Sequence, residues 1–381
     1  MRILYIVHST KMEGSTISFI NMVIGIHKKG VDIGIIAPQN EIDEKFKEIC
    51  NKNNFSLFSS ILVASILPKP HLGLRMYHYF KLPIILLNKY KSKKNIISIA
   101  KIFKADIIHT NTGVIHEGYK ASLELNIPHV WHLREYQDKD FNWLILPSKN
   151  YYMKMLHKSN VISISSGIQE HFRLTDSKNA SIIYNGIYSI NKQWVLVDKE
   201  PYFLVASRLN QEKGITEVIQ SFADFRTSNH NYRLKLAGYG NEYYVDSLKV
   251  LSVKLGINDY VDFLGFVEDV SPLMRKAKAL IVASYNEGFG RMTAEAAFNG
   301  CVVIGRNTGG TKEIIDYTGG LLFDGTNKTL LDCMLEISNM PAKQYNNMAL
   351  VAQNRAIAKY SIESNVDGVY NYYNQILNQG V

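Results

Sequence analysis

The run Ala279-Leu280-Ile281-Val282-Ala283, followed by Asn286-Glu287-Gly288-Phe289-Gly290-Arg291-Met292-Thr293-Ala294-Glu295, says more about fold and chemistry than any other part of the chain. Five consecutive apolar residues read as a strand buried on both faces, and the glycine-containing loop after them opens a helix near Gly290. In that geometry Glu287 stays in the loop and Glu295 lies about a turn inside the helix, so both carboxylates face one cleft at the carboxyl end of a strand. Backbone N–H groups at the helix N-terminus favour an anion beside them. Carboxylates suit sugar and ribose hydroxyls, and N–H groups suit phosphate, so the stretch fits a nucleotide sugar. Glutamate is also a common first-turn helix residue because it complements the helix dipole, so the rest of the chain must decide between these readings.

Outward from this stretch the chain alternates strand and helix. Residues 2–7 form an apolar strand, followed by a loop containing Gly14 and a helical pattern through Ile17, Ile20, Met22, Val23 and Ile26. Further strands are expected at 31–37, 107–109, 129–132 and 161–165, with a helix at 119–125. The pattern restarts with strands at 202–206, 232–237, 261–264, 279–283 and 302–304 and a helix at 215–225. Such alternation predicts an α/β protein with two Rossmann-like, doubly wound parallel-sheet domains facing a central cleft, with ligands at the carboxyl ends of the strands. The Asn185-Gly186 turn signal marks the join, giving an N-terminal domain over 1–186 and a C-terminal domain over 187–360. Residues 361–381 follow as a helix with one apolar stripe through Val366, Val369, Tyr370, Tyr373, Ile376 and Leu377.

At 381 residues the chain has room for two domains that each bury a core. Its 46% hydrophobic and 20% charged residues are those of a globular protein. The apolar runs fall short of a membrane span, and residues 1–7 lack the pattern of a signal peptide. Cys50, Cys301 and Cys333 are far apart, in neither a paired nor a zinc-type spacing, so a reduced, metal-free, cytoplasmic protein is expected.

The net charge of +9 is concentrated. Residues 49–105 contain no Asp or Glu but hold Lys52, Lys69, Arg75, Lys81, Lys89, Lys91, Lys93, Lys94, Lys101 and Lys104, interleaved with Leu72, Leu74, Met76, Tyr77, Tyr79, Phe80, Leu82, Ile84, Leu86, Leu87 and Tyr90. A basic amphipathic segment of this kind, residues 52–104, is expected to attach peripherally to an anionic membrane surface, each cation contributing about 1 kcal/mol. A solvated basic face over buried helices is the alternative. Nucleic acid is not expected, because no recognised nucleic-acid module accompanies the patch.

With Ser207-Arg208-Leu209, Lys213-Gly214, Glu287, Glu295 and Gly309-Gly310 in this order, the C-terminal half resembles the retaining GT-B-fold glycosyltransferases of family 4. Ser207-Arg208-Leu209-Asn210-Gln211-Glu212-Lys213-Gly214 is similar to that family's S-R-L-x-x-x-K-G loop. Leu236-Ala237-Gly238-Tyr239-Gly240 and Val261-Asp262-Phe263-Leu264-Gly265 resemble its next two strand ends. Glu287 and Glu295 occupy its two glutamate positions, and Thr308-Gly309-Gly310-Thr311-Lys312-Glu313 resembles its G-G-x-x-E turn. The resemblance implies a retaining hexosyltransferase with an acceptor-binding N-terminal domain, a donor-binding C-terminal domain and a final helix packing back on the first. By this resemblance Glu295 binds the ribose, Glu287 lies near the donor sugar, Gly14 faces the donor phosphates, and His132 stands close to the reacting sugar.

Chemistry extends these assignments. The departing diphosphate needs cations, and the donor half offers no Asp-x-Asp pair for a metal, Asp138-Lys139-Asp140 lying in the other half. Arg208 and Lys213 are therefore expected to take that role without a cofactor. Backbone N–H groups at Phe289 and Gly290 are expected to hold sugar or phosphate oxygens, Phe266 and Val267 to flank the base, and Ser15 with Thr16 to cap the first helix or donate to phosphate. His109 and His116 are expected to be ordinary buried or solvated histidines, with His129 facing away from His132 across a strand. A hydrolase would need opposed carboxylates across the sugar, so same-face attack is favoured, with the leaving phosphate accepting the acceptor hydroxyl proton. The expected acceptor is a lipid-linked glycan or oligosaccharide in bacterial capsule, polysaccharide or glycolipid synthesis, the donor a UDP-sugar or another nucleotide sugar. A non-catalytic sugar-binding subunit and a nucleotide-sugar epimerase are the rival readings.

Overall fold

A computed structural model describes residues 1–68, 75–138, 143–192 and 195–378. Lys69, Leu72 and Leu74 of the basic segment, Lys139 and Asp140 of the acidic pair, and the last three residues of the expected final helix lie outside the described residues. The chain divides into two compact units, Met1–Gly186 with Ile362–Val381, and Ile187–Ser361.

The first unit contains β1 (Arg2–Ile6), β2 (Asp32–Pro38), β3 (Ser56–Ser60), β4 (Ile66–Pro68), β5 (Ile107–Thr110), β6 (His129–Leu133), β7 (Trp143–Ile145), β8 (Asn160–Ser163) and β9 (Ala180–Ile182). Seven form a parallel sheet in the order β3-β2-β1-β5-β6-β8-β9, and β4 pairs antiparallel with β7. β5 and β6 are buried from end to end and β1 from Ile3 onward, as runs such as Ile3-Leu4-Tyr5-Ile6 require when helices cover both faces. In this register Tyr5 lies beside His109, and His109 beside Val130, two residues before His132. Tyr5, His109 and His132 consequently share one face.

That face is covered by the helices Gly14–Lys28 and Ile362–Asn378. The apolar stripe of the second helix buries Val366, Val369, Tyr372, Tyr373 and Ile376. The two helices approach closely enough that a Cβ on Gly25 would stand 2.3 Å from Val366 Cγ2.

The second unit contains β10 (Glu200–Ala206), β11 (Arg233–Ala237), β12 (Val261–Gly265), β13 (Ala277–Val282), β14 (Val303–Arg306) and β15 (Leu321–Phe323), all parallel in the order β12-β11-β10-β13-β14-β15. The architecture is thus α/β with two doubly wound parallel sheets. In each sheet the strand order reverses at the centre, between β1 and β5 in the first and between β10 and β13 in the second. Loops that leave such a point in opposite directions open a crevice at the carboxyl ends of the strands.

One expectation needs correction. Ser15 and Thr16 are not caps: the helix begins at Gly14, Glu13 holds the extended N-cap position without a side-chain bond, and Thr16 turns into the core. The basic segment is paired in part. It runs through β3, β4 and the helix Arg75–Phe103, whose Ile96, Ile97 and Ala100 join the core. Lys89 pairs with buried Glu117 at 3.6 Å, and Lys93 and Lys94 pair with Glu124 at 2.8 and 3.6 Å. The neutralising carboxylates come from the next helix, Glu117–Leu125, just past the acid-free stretch of sequence.

Candidate active site

The loops that follow β10 and β13 carry Arg208, Lys213 and Glu287, three of the candidate side chains of the second unit. After β10, Arg208 is exposed, and Asn210 accepts a hydrogen bond from the Lys213 backbone N–H at 3.2 Å to close a short 3₁₀ turn over Gln211–Lys213. The turn aims Lys213 at the neighbouring loop, where its Nζ lies 2.5 Å from Glu287 Oε1. The Tyr285 N–H donates to the Glu212 carbonyl at 3.0 Å and holds the two loops together.

Glu287 remains in the loop, and Gly290 is the left-handed N-cap, φ 86°, of the helix Arg291–Phe298. A β-carbon is strongly disfavoured there. The Gly309-Gly310 turn packs directly beneath, Gly310 donating to the Glu287 carbonyl at 2.8 Å. A Cβ on Gly310 would stand 2.1 Å from the Phe289 carbonyl oxygen, so only glycine permits this approach. Phe289 is buried against Tyr360, with ring centroids 5.8 Å apart.

Glu295 is only 5% exposed and pairs with Arg291 Nε at 2.6 Å, one turn earlier. Burial raises its pKa above the usual carboxylate range, and Arg291 opposes that rise. Phe266 is 72% exposed just past β12 and touches Tyr239, while Val267 packs on the core. A large aromatic ring left in solvent beside this crevice is a natural stacking surface. Among the described residues no group of three metal-ligating side chains exists; Asp138 instead bonds Lys149 at 2.9 Å and His171 at 2.7 Å.

In the first unit, Gly14 is exposed and Ser15 half-buried at the start of the first helix. His132, near the end of β6, is fully buried. Its Nδ1 lies 3.2 Å from His109 Nε2 and 3.5 Å from Arg134 Nη2. Arg134 is also buried, donating to Asn111 Oδ1 at 2.9 Å and to Asn185 Oδ1 at 2.6 Å. His116 stacks on Tyr152 and His129 bonds Thr110, burial lowering each to a pKa of about 3.

Residues 188–355 match the family model of the glycosyl transferases group 1. The match lies inside the second unit, which is similar to a group 1 glycosyl transferase. An uncharacterized glycosyltransferase of Methanocaldococcus jannaschii is 24% identical over 77% of this chain and 79% of its own length. The Campylobacter jejuni transferase that adds N-acetylgalactosamine to an undecaprenol-diphosphate-linked glycan is 33% identical over 37% of this chain and 39% of its own. The crystal structure of Anabaena HepE in complex with UDP superposes with a TM-score of 0.77 at 20% identity, covering 98% of this chain and 100% of that one. The fold of the whole chain is thus GT-B.

Within the second unit, Lys213 with Glu287 and Arg291 with Glu295 form two cation–carboxylate pairs. Arg291 carried no signal in the sequence beyond its place four residues before Glu295, a spacing that puts two helical side chains together. Arg134, Asn111 and Asn185 were also missed, because residues far apart in sequence meet only when β5, β6 and the end of the first unit come side by side.

Proposed function

We propose that the chain transfers a sugar from a nucleotide sugar to an acceptor hydroxyl with retention of configuration. The observation that carries this reading is the stretch from Glu287 to Glu295, which sets two carboxylates, each against a cation, at the carboxyl end of β13, where the sheet order reverses. In this reading Glu295, oriented by Arg291, accepts from the ribose hydroxyls. Arg208 and Lys213 take the diphosphate, with Lys213 exchanging part of its contact with Glu287 for phosphate. Glu287 is then left beside the donor sugar. Phe266 stacks with Val267 about the base, and the backbone at Phe289 and Gly290 holds sugar or phosphate oxygens, as Gly14 and Ser15 do from the first unit. His132 meets the reacting sugar.

As the glycosidic bond breaks, its electrons pass to the diphosphate, whose growing charge the two cations stabilise without a metal ion. The acceptor oxygen attacks from the same face, and its proton passes to the leaving phosphate. A hexose donor with a uridine base agrees with the UDP and UDP-glucose held by HepE. A lipid-linked glycan acceptor in surface polysaccharide or glycolipid synthesis agrees with the Campylobacter relative. No helix among the described residues is long and apolar enough to cross a membrane. Exposed Ile84, Leu86, Leu87 and Tyr90 on the helix Arg75–Phe103, next to Lys91 and Lys94, provide a surface for peripheral contact with an anionic membrane on the cytoplasmic side.

The test is a thermal-shift screen of nucleotide sugars followed by incubation of the stabilising donor with lipid-linked acceptors. Ligand at 100 times its dissociation constant adds about 2.7 kcal/mol. Acceptor-dependent nucleotide release with an α-linked product from an α-linked donor is expected. Nucleotide release without any acceptor would favour an epimerase, and binding without turnover a non-catalytic subunit.

A further inference from the structure

A line of buried hydrogen bonds crosses the helix-covered face of the first sheet and ends on His132. The Tyr5 hydroxyl lies 2.9 Å from that of Tyr373, which lies 2.6 Å from His109 Nδ1. His109 Nε2 in turn lies 3.2 Å from His132 Nδ1. All four side chains are buried. The direction of the line follows from Arg134, whose Nη2 stands 3.5 Å from the same His132 Nδ1. A guanidinium can only donate, so that nitrogen must present a lone pair. Burial, with Arg134 nearby, keeps both imidazoles neutral by lowering them well below the usual histidine range. A neutral imidazole has one N–H, and in His132 it therefore sits on Nε2.

The order propagates back along the line. His109 donates from Nε2, its Nδ1 accepts from the Tyr373 hydroxyl, and Tyr373 accepts from Tyr5. Burial raises both phenols above their ordinary value, so neither becomes a phenolate that would reverse the direction. At the far end, His132 Nε2 is buried with no hydrogen-bond partner among the described residues. A buried N–H in that position is worth satisfying, and a ligand oxygen would satisfy it.

We propose that Tyr373, in the C-terminal helix, is a positioning residue for sugar transfer: through His109 it fixes the Nε2–H form of His132, so that His132 meets a sugar oxygen as a hydrogen-bond donor and not as a base. This rests on the reading of His132 as sugar-facing. No proton changes owner along the line; the hydroxyls and imidazoles only hold one another's orientation. Without the Tyr373 hydroxyl, His109 can carry its proton on Nδ1, which sets two lone pairs against each other at His132 and leaves its tautomer held by the 3.5 Å contact with Arg134 in place of two donors.

The test uses the full-length chain with 15N-labelled histidine. Near neutral pH the wild-type protein is expected to show His132 protonated at Nε2 and bare at Nδ1. Tyr373→Phe is expected to mix the tautomers of both rings and to lower kcat by roughly tenfold or more, with UDP affinity unchanged. Tyr372→Phe removes another buried hydroxyl from the same helix, one bonded to Val161 and Asn179. It is expected to lower the melting temperature similarly while leaving turnover within about twofold. A wild-type proton on His132 Nδ1, unchanged tautomers in Tyr373→Phe, or equal loss of turnover in Tyr372→Phe overturns the proposal. Undiminished turnover in His132→Ala overturns the sugar-facing reading instead, and leaves standing the tautomer result measured in the chains that keep His132.

Discussion

Ending the chain after Ser361 removes the helix Ile362–Asn378 and leaves every residue of the second unit in place. The cut belongs there and not earlier, because Tyr360 packs on Phe289 within the second unit. The lost helix buries Val366, Val369, Tyr372, Tyr373 and Ile376, each at most 6% exposed. At roughly 1.5–3 kcal/mol for each buried apolar side chain, the loss is about 8–15 kcal/mol, an upper range because unfolded chains bury some surface already. A whole domain is stable by only about 5–15 kcal/mol, so the first unit is expected to unfold. Calorimetry should show its transition vanish while a second transition, raised by nucleotide, persists; hydrogen exchange should show protection lost at β1 and β5 but kept at β10 and β13. A truncated protein whose β1 amides stay protected would refute the reasoning, since the stripe would then contribute nothing to that core.

Further outcomes follow from the two sites. Lys213→Met should lower kcat by roughly 100-fold or more, because stabilisation of the departing charge goes with it, and chelators should leave wild-type turnover unchanged; rescue of chelated enzyme by a divalent ion would count against this. Glu295→Gln should weaken nucleotide binding measured by calorimetry, whereas Glu287→Gln should lower kcat more than affinity; a covalent glycosyl-Glu287 detected by mass spectrometry would overturn same-face attack. His109, His116, His129 and His132 all have pKa values lowered by burial, so the folded first unit binds fewer protons than its unfolded chain as pH falls below about 6.5. Their contribution to stability is present above that value and is lost on acidification, at up to roughly 1.4 kcal/mol per pH unit for each histidine; a first-unit melting temperature constant from neutral to mildly acid pH would contradict it.

The two parallel sheets were legible because their central strands are near-continuous apolar runs separated by helices of ordinary length, a pattern with few physical solutions. The run 279–283 corresponds to β13, Ala277–Val282, and the helix expected near Gly290 begins at Arg291. What stayed hidden depends on distance along the chain. Tyr373 bonds a residue 264 positions away, and within its own helix it looks like one more member of an apolar stripe. His109 looks like core because it is core; only the sheet register sets it beside Tyr5 and near His132. The pairing of Lys89, Lys93 and Lys94 was hidden because a charge count over a window omits carboxylates just outside it, and Glu117 and Glu124 lie there.

The split of the first unit between the two ends of the chain imposes an order on its assembly during synthesis. Residues 187–361 are translated between the last strand of the first sheet and the helix that covers it. At the usual ~5–20 residues per second, that interval lasts roughly 10–35 s. Throughout it Tyr5, Val23 and Ile183 lack the partner against which they are buried in the finished protein. The second unit is complete in sequence before the first, so the core whose strands emerge earlier closes later. A holding chaperone would find its apolar target on the first unit and lose it only when Val369 and Tyr373 dock.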